Sequence, residues 1–406
     1  MMGIEQPLTG AVVARLPDAP VQLAAYGSVV FPVALVIEAP VIMLLAASTE
    51  LSRDRAAYRS LRRVAHGLGL GLTLLHLLLV ATPAFDWLAG QVLEVPPVVR
   101  GPARLGLWIM LPWTWAIASR RLAQGVLIRH GHARAVGWGT GLRLVLSVSV
   151  LAVGSTLGNV SGVVVATTAL SVGVVAEAIY ASLRVQAVVR TMAGSSPDRP
   201  VLRGLVFWRF YVPLAVTPLI TLVILPVGTA AVSRMPDALA SLAVWPTLNA
   251  VVFVLQAFGL AFNEVVVALL DEPGARRALR RFAGGLVLVT TAVLALLSLR
   301  PLADVWFRDV VGLSPTLSDM GAATLWLALP IPGARVLQSW FQGLLVHARR
   351  TRGITEAVVV FALSCSAVLV WGVHRPWATG LTVMVVAYSV GRIFQTVWLA
   401  IRARGL

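Results

Sequence analysis

ARLPDAP, residues Ala14 to Pro20, returns as SRMPDAL at Ser233 to Leu239, and the second copy makes the chain a doubled module. At an offset of 219, Pro7 falls on Pro226, Arg15 on Arg234, Pro17 and Asp18 on Pro236 and Asp237, and Leu23 and Ala24 on Leu242 and Ala243. One residue is then lost. At an offset of 218, Leu61, Arg62 and Arg63 recur as Leu279, Arg280 and Arg281, Asp86 as Asp304, and Leu107 and Trp108 as Leu325 and Trp326. Pro112 recurs as Pro330, and Gln124 and Gly125 as Gln342 and Gly343. One shift with otherwise constant spacing is the mark of an internal repeat rather than of biased composition.

A mean hydropathy of +0.86, with 58% hydrophobic and only 12% charged residues, places the chain far from soluble domains, where roughly a quarter of residues are charged. It reads as an all-α polytopic membrane protein. The formal charge of +16 rests on 33 basic residues, every one an arginine. They cluster between apolar runs, which is how cytoplasmic loops are marked, so the basic balance points to topology and not to nucleic acid. The single Cys365 allows no intramolecular disulfide and no thiol metal site. No signal-peptide pattern stands in the first thirty residues.

A membrane span takes about 20 apolar residues. The first half offers 21–48, 64–83, 104–128, 136–157 and 160–183; the second offers 206–232, 239–268, 282–300, 321–346, 354–373 and 377–401. Residues 1–14 would form a twelfth, truncated span. Its repeat partner starts near Val206, so the equivalent start falls before Met1, and Met1 is expected to be internal to a longer first helix. The predicted organisation is a six-helix bundle over 1–185, a cytoplasmic linker over 186–205 containing GSSPDRP, and a second six-helix bundle over 206–406.

Segments 49–63, 129–135, 184–205, 271–281, 347–353 and 402–406 together hold 20 arginines, and the opposite side holds seven. The arginine-rich side is therefore predicted to be cytoplasmic, with both termini inside and the chain in the inner or plasma membrane. Six spans per repeat keep the two halves in the same orientation, as in transporters built from parallel repeats. The matched stretches RDRAAYRSLRR (Arg53 to Arg63) and EPGARRALRR (Glu272 to Arg281) read as short surface helices, and membrane lipids are expected partners.

Ionisable side chains within spans cost about 2.5–3.5 kcal/mol at the bilayer centre, so they are the first candidates for function. Glu264, Glu356 and Arg392 lie within a few turns of a cytoplasmic end, where snorkelling is cheap. Glu177 sits about two turns above Arg184 and is intermediate. Deeper stand Glu38, Arg120, Arg121 and Arg335, and Glu5 with Gln6 if the first helix extends upstream. The repeat pairs Glu38 with Gln256 and Gln124 with Gln342. Polar residues at equal depth in both bundles predict a shared lining, with interhelical hydrogen bonding as the plain alternative. An arginine at mid-depth suits an anion, because guanidinium stays charged and binds carboxylate or phosphate bidentately. The paired prolines Pro7 and Pro226, and Pro112 and Pro330, predict helix kinks at matched positions.

No P-loop, HExxH, GxSxG or glycine-rich dinucleotide fingerprint occurs, so the chain is not read as an enzyme. His130 and His132 sit in a basic loop with no acid nearby and do not read as metal ligands. No cofactor is expected beyond coupling to H+ or Na+.

Five features carry a resemblance: the triplet Glu5-Gln6-Pro7 with Ala14-Arg15-Leu16 downstream, SRDR at Ser52 to Arg55, the LLVHARR end of the tenth span at Leu344 to Arg350, and FW followed by PLA at Phe207, Trp208 and Pro213 to Ala215. In these the chain resembles the progressive ankylosis protein family, within the multidrug and lipid-linked oligosaccharide (MATE-like) exporter superfamily. The resemblance implies two six-helix bundles about a central cavity and export of a small organic or phosphate-type anion. The expectation is a monomeric secondary transporter of that kind. A drug exporter or lipid-linked sugar flippase of the same fold, and a membrane scaffold that transports nothing, are the alternatives.

Overall fold

In the computed structural model, residues 2–192, 194, 204–270, 272–348, 350–375 and 377–404 are described. Half of the predicted linker, including nearly all of GSSPDRP, lies outside them. Among the described residues the structure is helical throughout, without a strand. The first half contributes α1 (Met2–Val13), α2 (Ala19–Leu23), α3 (Phe31–Ile42), α4 (Leu44–Leu51) and α5 (Arg55–Ala81). It continues with α6 (Ala84–Trp87), α7 (Pro97–Ile109), α8 (Leu111–Arg129), α9 (Ala133–Leu157) and α10 (Gly162–Thr191). The second half contributes α11 (Gly204–Ser233), α12 (Ala238–Leu269), α13 (Ala275–Leu297) and α14 (Arg300–Asp304). It closes with α15 (Pro315–Leu325), α16 (Pro330–His347), α17 (Arg352–His374) and α18 (Gly380–Arg402).

Ten helical stretches among the described residues are long and apolar enough to cross a membrane. The two predicted spans that are not among them have plain reasons. α1 has only 12 residues. Residues 97–129 carry Arg100, Arg104, Arg120, Arg121 and Arg129, which lower their hydropathy; they are also broken between α7 and α8 at Met110, two residues before Pro112. The tenth span breaks at the matched place, where α15 passes through a 3-10 turn at Trp326–Ala328 into α16 at Pro330. Proline opens a helix readily because its missing N–H is not needed in the first turn, and it cannot continue the preceding one. The matched basic stretches are not separate surface helices. They form the first turns of α5 and α13, the former capped by the Asp54 carboxylate accepting from the Ala57 amide at 2.8 Å.

Local geometry reproduces the repeat. Asp18 and Asp237 are both left-handed, at φ 52° and 55°, a region in which Asp is better tolerated than most residues. The preceding arginines each fold back onto a carbonyl four residues earlier: Arg15 Nη1 donates to Ala11 O at 2.8 Å and Arg234 Nη1 to Ala230 O at 2.6 Å. Deeper in, Ser171 Oγ donates to Ile109 O at 3.1 Å and Ser389 Oγ to Leu327 O at 2.7 Å, partners that are again 218 apart.

The helices gather into two compact units. One comprises Val29–Val92 and Pro97–Val223; the other comprises Met2–Ser28, Leu93–Pro96 and Ile224–Leu406. Each unit thus includes the opening helix, or most of it, from the other half of the sequence. In the second unit Ser28 Oγ donates to Leu242 O at 2.6 Å and Thr229 Oγ1 to Ser28 O at 2.5 Å. Arg15 reaches the carbonyls of Asp309, Val310 and Val311 at 2.7–3.0 Å. In the first unit Tyr211 Oη, from α11, donates to Pro40 O at 2.5 Å. The buried bonds of Ser28 and Thr229 to main-chain carbonyls tie helices together where no water competes for the groups.

Candidate functional site

The first unit has a charged centre. Two thirds of the most apolar window of α10 is buried, and Glu177 on that helix is fully buried. Its Oε2 accepts from Arg120 Nη1 at 2.5 Å, and Oε1 accepts from Gln124 Nε2 at 3.0 Å and from Thr140 Oγ1 at 3.2 Å. Arg143 Nε stands 3.8 Å from Oε2. Arg120 and Gln124 are one turn apart on α8, and Thr140 and Arg143 are one turn apart on α9, so three helices converge on a single carboxylate. α9 can approach because α10 and α9 present glycines there. A Cβ on Gly173 would lie 2.9 Å from Arg143 Cγ, and one on Gly139 would lie 3.2 Å from the Tyr180 ring. Glu38, on α3, is buried with Oε2 lacking a hydrogen-bond partner, and the charges of Arg121 and Arg120 act on it. Three arginines therefore meet two glutamates, and most of the charge at this centre is internally balanced.

The second unit has no such balance. Its polar centre joins α16, α17 and α18. Arg335 Nη1 reaches Gln338 Oε1 at 3.5 Å, and Arg392 Nη1 donates to Gln395 Oε1 at 3.0 Å. Gln338 Nε2 donates to Arg392 O at 3.2 Å and to Thr396 Oγ1 at 3.1 Å. The Arg392 guanidinium lies over the Phe361 ring, 4.6 Å from its centroid. The charge acting on Arg335 is the like charge of Arg392. Neither arginine forms an ion pair among the described residues. Arg392 Nε and the buried hydroxyl of Tyr388, one turn earlier on α18, have no hydrogen-bond partner.

At an offset of 218 the two centres are the same place in the fold. Arg120 corresponds to Gln338 and Glu177 to Gln395, and the alignment runs through SVGVVAE (Ser171 to Glu177) and SVGRIFQ (Ser389 to Gln395). A charged pair in one unit is replaced by two amides in the other. Arg392 stands where the first unit has Val174, and Phe361 where it has Arg143.

Of the residues singled out from sequence, Arg120, Gln124 and Glu177 come together directly, and Glu38 and Arg121 adjoin them electrostatically. Arg335 belongs to the other centre. Glu5, on α1 in the second unit, is buried and interacts electrostatically with Tyr26. Gln6, Gln256 and Gln342 are at least partly buried and make no side-chain hydrogen bond among the described residues. Arg392 needs correction. It lies about 15 Å from Arg402 and about 18 Å from Gly380 at helical rise, which is mid-span and beyond cheap snorkelling. Arg143, Thr140, Gln338 and Gln395 were not singled out, although the SVG match identifies Gln395 as the partner position of Glu177.

No protein-family model and no curated protein matches the chain. Solved structures do. An inward-facing multidrug resistance MATE family transporter of the MOP superfamily superposes with a TM-score of 0.69 at 16% identity, over 99% of this chain and 94% of that one. The fold is MATE-like. The lipid II flippase MurJ in an inward closed conformation gives 0.66 at 11% identity, over 99% and 87%. A MOP superfamily transporter from Pyrococcus furiosus, described as having a binding pocket of reverse polarity, gives 0.60 at 18% identity, over 99% and 94%. The MATE-like fold and the apolar helices make this a multi-pass membrane protein. Identities this low bear on the fold alone.

Proposed function

We propose that the chain is a secondary transporter that moves a small organic or phosphate-type anion across the cell membrane by alternating access, with both termini in the cytoplasm. One observation carries the reading: Arg335 and Arg392 stand together at mid-span, each half-buried, and neither is ion-paired to a carboxylate among the described residues. Holding charge inside a bilayer is expensive, and such residues are usually paired or serve a substrate path. In the first unit the carboxylate of Glu177 neutralises the arginines of the corresponding centre, Arg120 and Arg143, whereas the second unit has the neutral Gln395 at that position, so it is free to take its counter-charge from a ligand. Guanidinium remains charged at any physiological pH and offers forked donors to carboxylate or phosphate. Glu38, buried near two arginines, is the residue suited to coupling through H+ or Na+. The finer resemblance to the progressive ankylosis family agrees with this substrate class. A drug exporter or lipid-linked sugar exporter shares the fold and is the competing reading.

Proteoliposomes loaded with labelled citrate, pyrophosphate or a cationic dye, with and without proton and sodium gradients, separate the two. Anion movement that is lost in Arg335→Ala and Arg392→Ala at normal protein yield is the expected result. Movement of the dye alone, indifferent to both substitutions, would overturn the anion reading.

A further inference from the structure

The first unit also contains a pocket of about 500 Å3 between α5, α8 and α10, away from the Glu177 centre's hydrogen bonds. Its walls change character along the helices. At the arginine-rich end stand Tyr58, Arg62 and Gln186. Tyr58 is buried and interacts with Arg62, while Arg62 itself is exposed. Eight residues beyond Tyr58 along α5, about 12 Å at helical rise, His66 packs against Trp115 with ring centroids 5.6 Å apart. Its Nδ1 is buried without a hydrogen-bond partner. One side of the pocket is apolar and open: Leu183, one turn before Gln186 on α10, Ile179 a further turn back and Trp115 line it yet are 61%, 57% and 48% exposed, so in a bilayer this side meets hydrocarbon. A cationic, hydrogen-bonding end toward the arginine-rich surface and an oily side opening into the membrane match the layout of an anionic phospholipid. A soluble metabolite would gain nothing from the lateral apolar opening, and a zwitterionic lipid would gain less from Arg62.

We propose that this pocket holds one anionic phospholipid, with its phosphate at Arg62 and Tyr58 and an acyl chain laid along Trp115, Ile179 and Leu183. The assignment stands whether or not the chain transports an anion, since it uses neither Arg335 nor Arg392.

The test is native mass spectrometry of the full-length protein titrated with dioleoyl phosphatidylglycerol or dioleoyl phosphatidylcholine, with inorganic phosphate and glycerol phosphate as competitors. One tightly held phosphatidylglycerol, at least tenfold preferred over phosphatidylcholine and not displaced by either soluble phosphate, is expected. Arg62→Glu should remove the preference. Arg59→Glu, at an exposed arginine on the same helix outside the pocket, should leave it within about twofold. Ser119→Trp, which fills the pocket between its two ends, should remove binding by a second route should Arg62→Glu fail to fold. Equal binding of both lipids, or equal loss in Arg59→Glu and Arg62→Glu, would overturn the proposal in favour of general surface attraction. Displacement by inorganic phosphate would overturn it in favour of a free-phosphate site.

Discussion

Arg120 donates to Glu177 across 2.5 Å within the first unit, and the corresponding residues of the second unit, Gln338 and Gln395, are both neutral. A repeat that keeps its backbone while exchanging an ion pair for two amides provides an internal comparison of what the charges contribute. Breaking a buried pair from one side leaves an uncompensated charge and costs about 3–5 kcal/mol, whereas removing both charges is often close to neutral. Glu177→Gln takes the carboxylate from between Arg120 and Arg143 and is expected to lower the melting temperature sharply. The double substitution Arg120→Gln with Glu177→Gln, which copies the second unit, should recover most of the loss. Tryptophan fluorescence melting in detergent reads the difference, and a double variant less stable than Glu177→Gln alone would refute the comparison.

Close helix packing gives a second set of outcomes. A Cβ on Gly125 would lie 2.5 Å from Leu45 O and 2.9 Å from Ser48 Cβ, and one on Gly343 would lie 2.9 Å from Val266 Cβ. Ser48 and Val266 are themselves repeat partners, so the same contact is built twice. Neither neighbour can retreat without shifting a helix, and overpacking of this kind costs about 1–3 kcal/mol. Gly125→Ala and Gly343→Ala should both destabilise. A methyl group on Gly67, on α5, would meet nothing within 4 Å, and Gly67→Ala should stabilise by about 0.5–1 kcal/mol through helix propensity. Thermal melts of the three variants test the contrast; destabilisation by Gly67→Ala comparable to the other two would show that the difference does not lie in packing.

The doubled architecture was legible because ARLPDAP and SRMPDAL sit at a helix end where backbone geometry constrains sequence. Asp18 and Asp237 share a left-handed conformation, and few residue types are at ease there. Helix content and span number followed from hydropathy, except where arginines interrupted it in 97–129. The charged centre was only half legible. Glu177, Arg120 and Gln124 stood out as polar residues in apolar runs, but Thr140 and Arg143 join them only through the approach of α9 to α10 at Gly139 and Gly173, which no periodicity announces. Arg392 was obscured by its distance from one end of its helix. Depth depends on both ends, and the match of Gly391 to Gly173 supplies the other reference.

The asymmetry of the two centres can be reversed by one substitution. Gln395 accepts from Arg392 at 3.0 Å, and a carboxylate in its place would sit where Glu177 sits in the first unit. Gln395→Glu would supply the counter-charge that the second unit lacks. Two consequences should appear together. The protein should melt at a higher temperature, because a mid-span guanidinium gains a hydrogen-bonded partner of opposite charge. Anion transport should fall by at least about tenfold, since an internal carboxylate competes with the external anion for the same donors; charge-assisted hydrogen bonds of about 1.5–3 kcal/mol correspond to losses of that order. Gln395→Leu separates charge from shape. It withdraws a hydrogen bond from Arg392 and lowers stability, but leaves the site positive, so transport should persist with a raised KM. Proteoliposome uptake of labelled pyrophosphate and citrate, set beside the melting curves, reads both effects. Wild-type transport by Gln395→Glu, or equal loss in Gln395→Glu and Gln395→Leu, would show that the paired arginines do not act through their unneutralised charge.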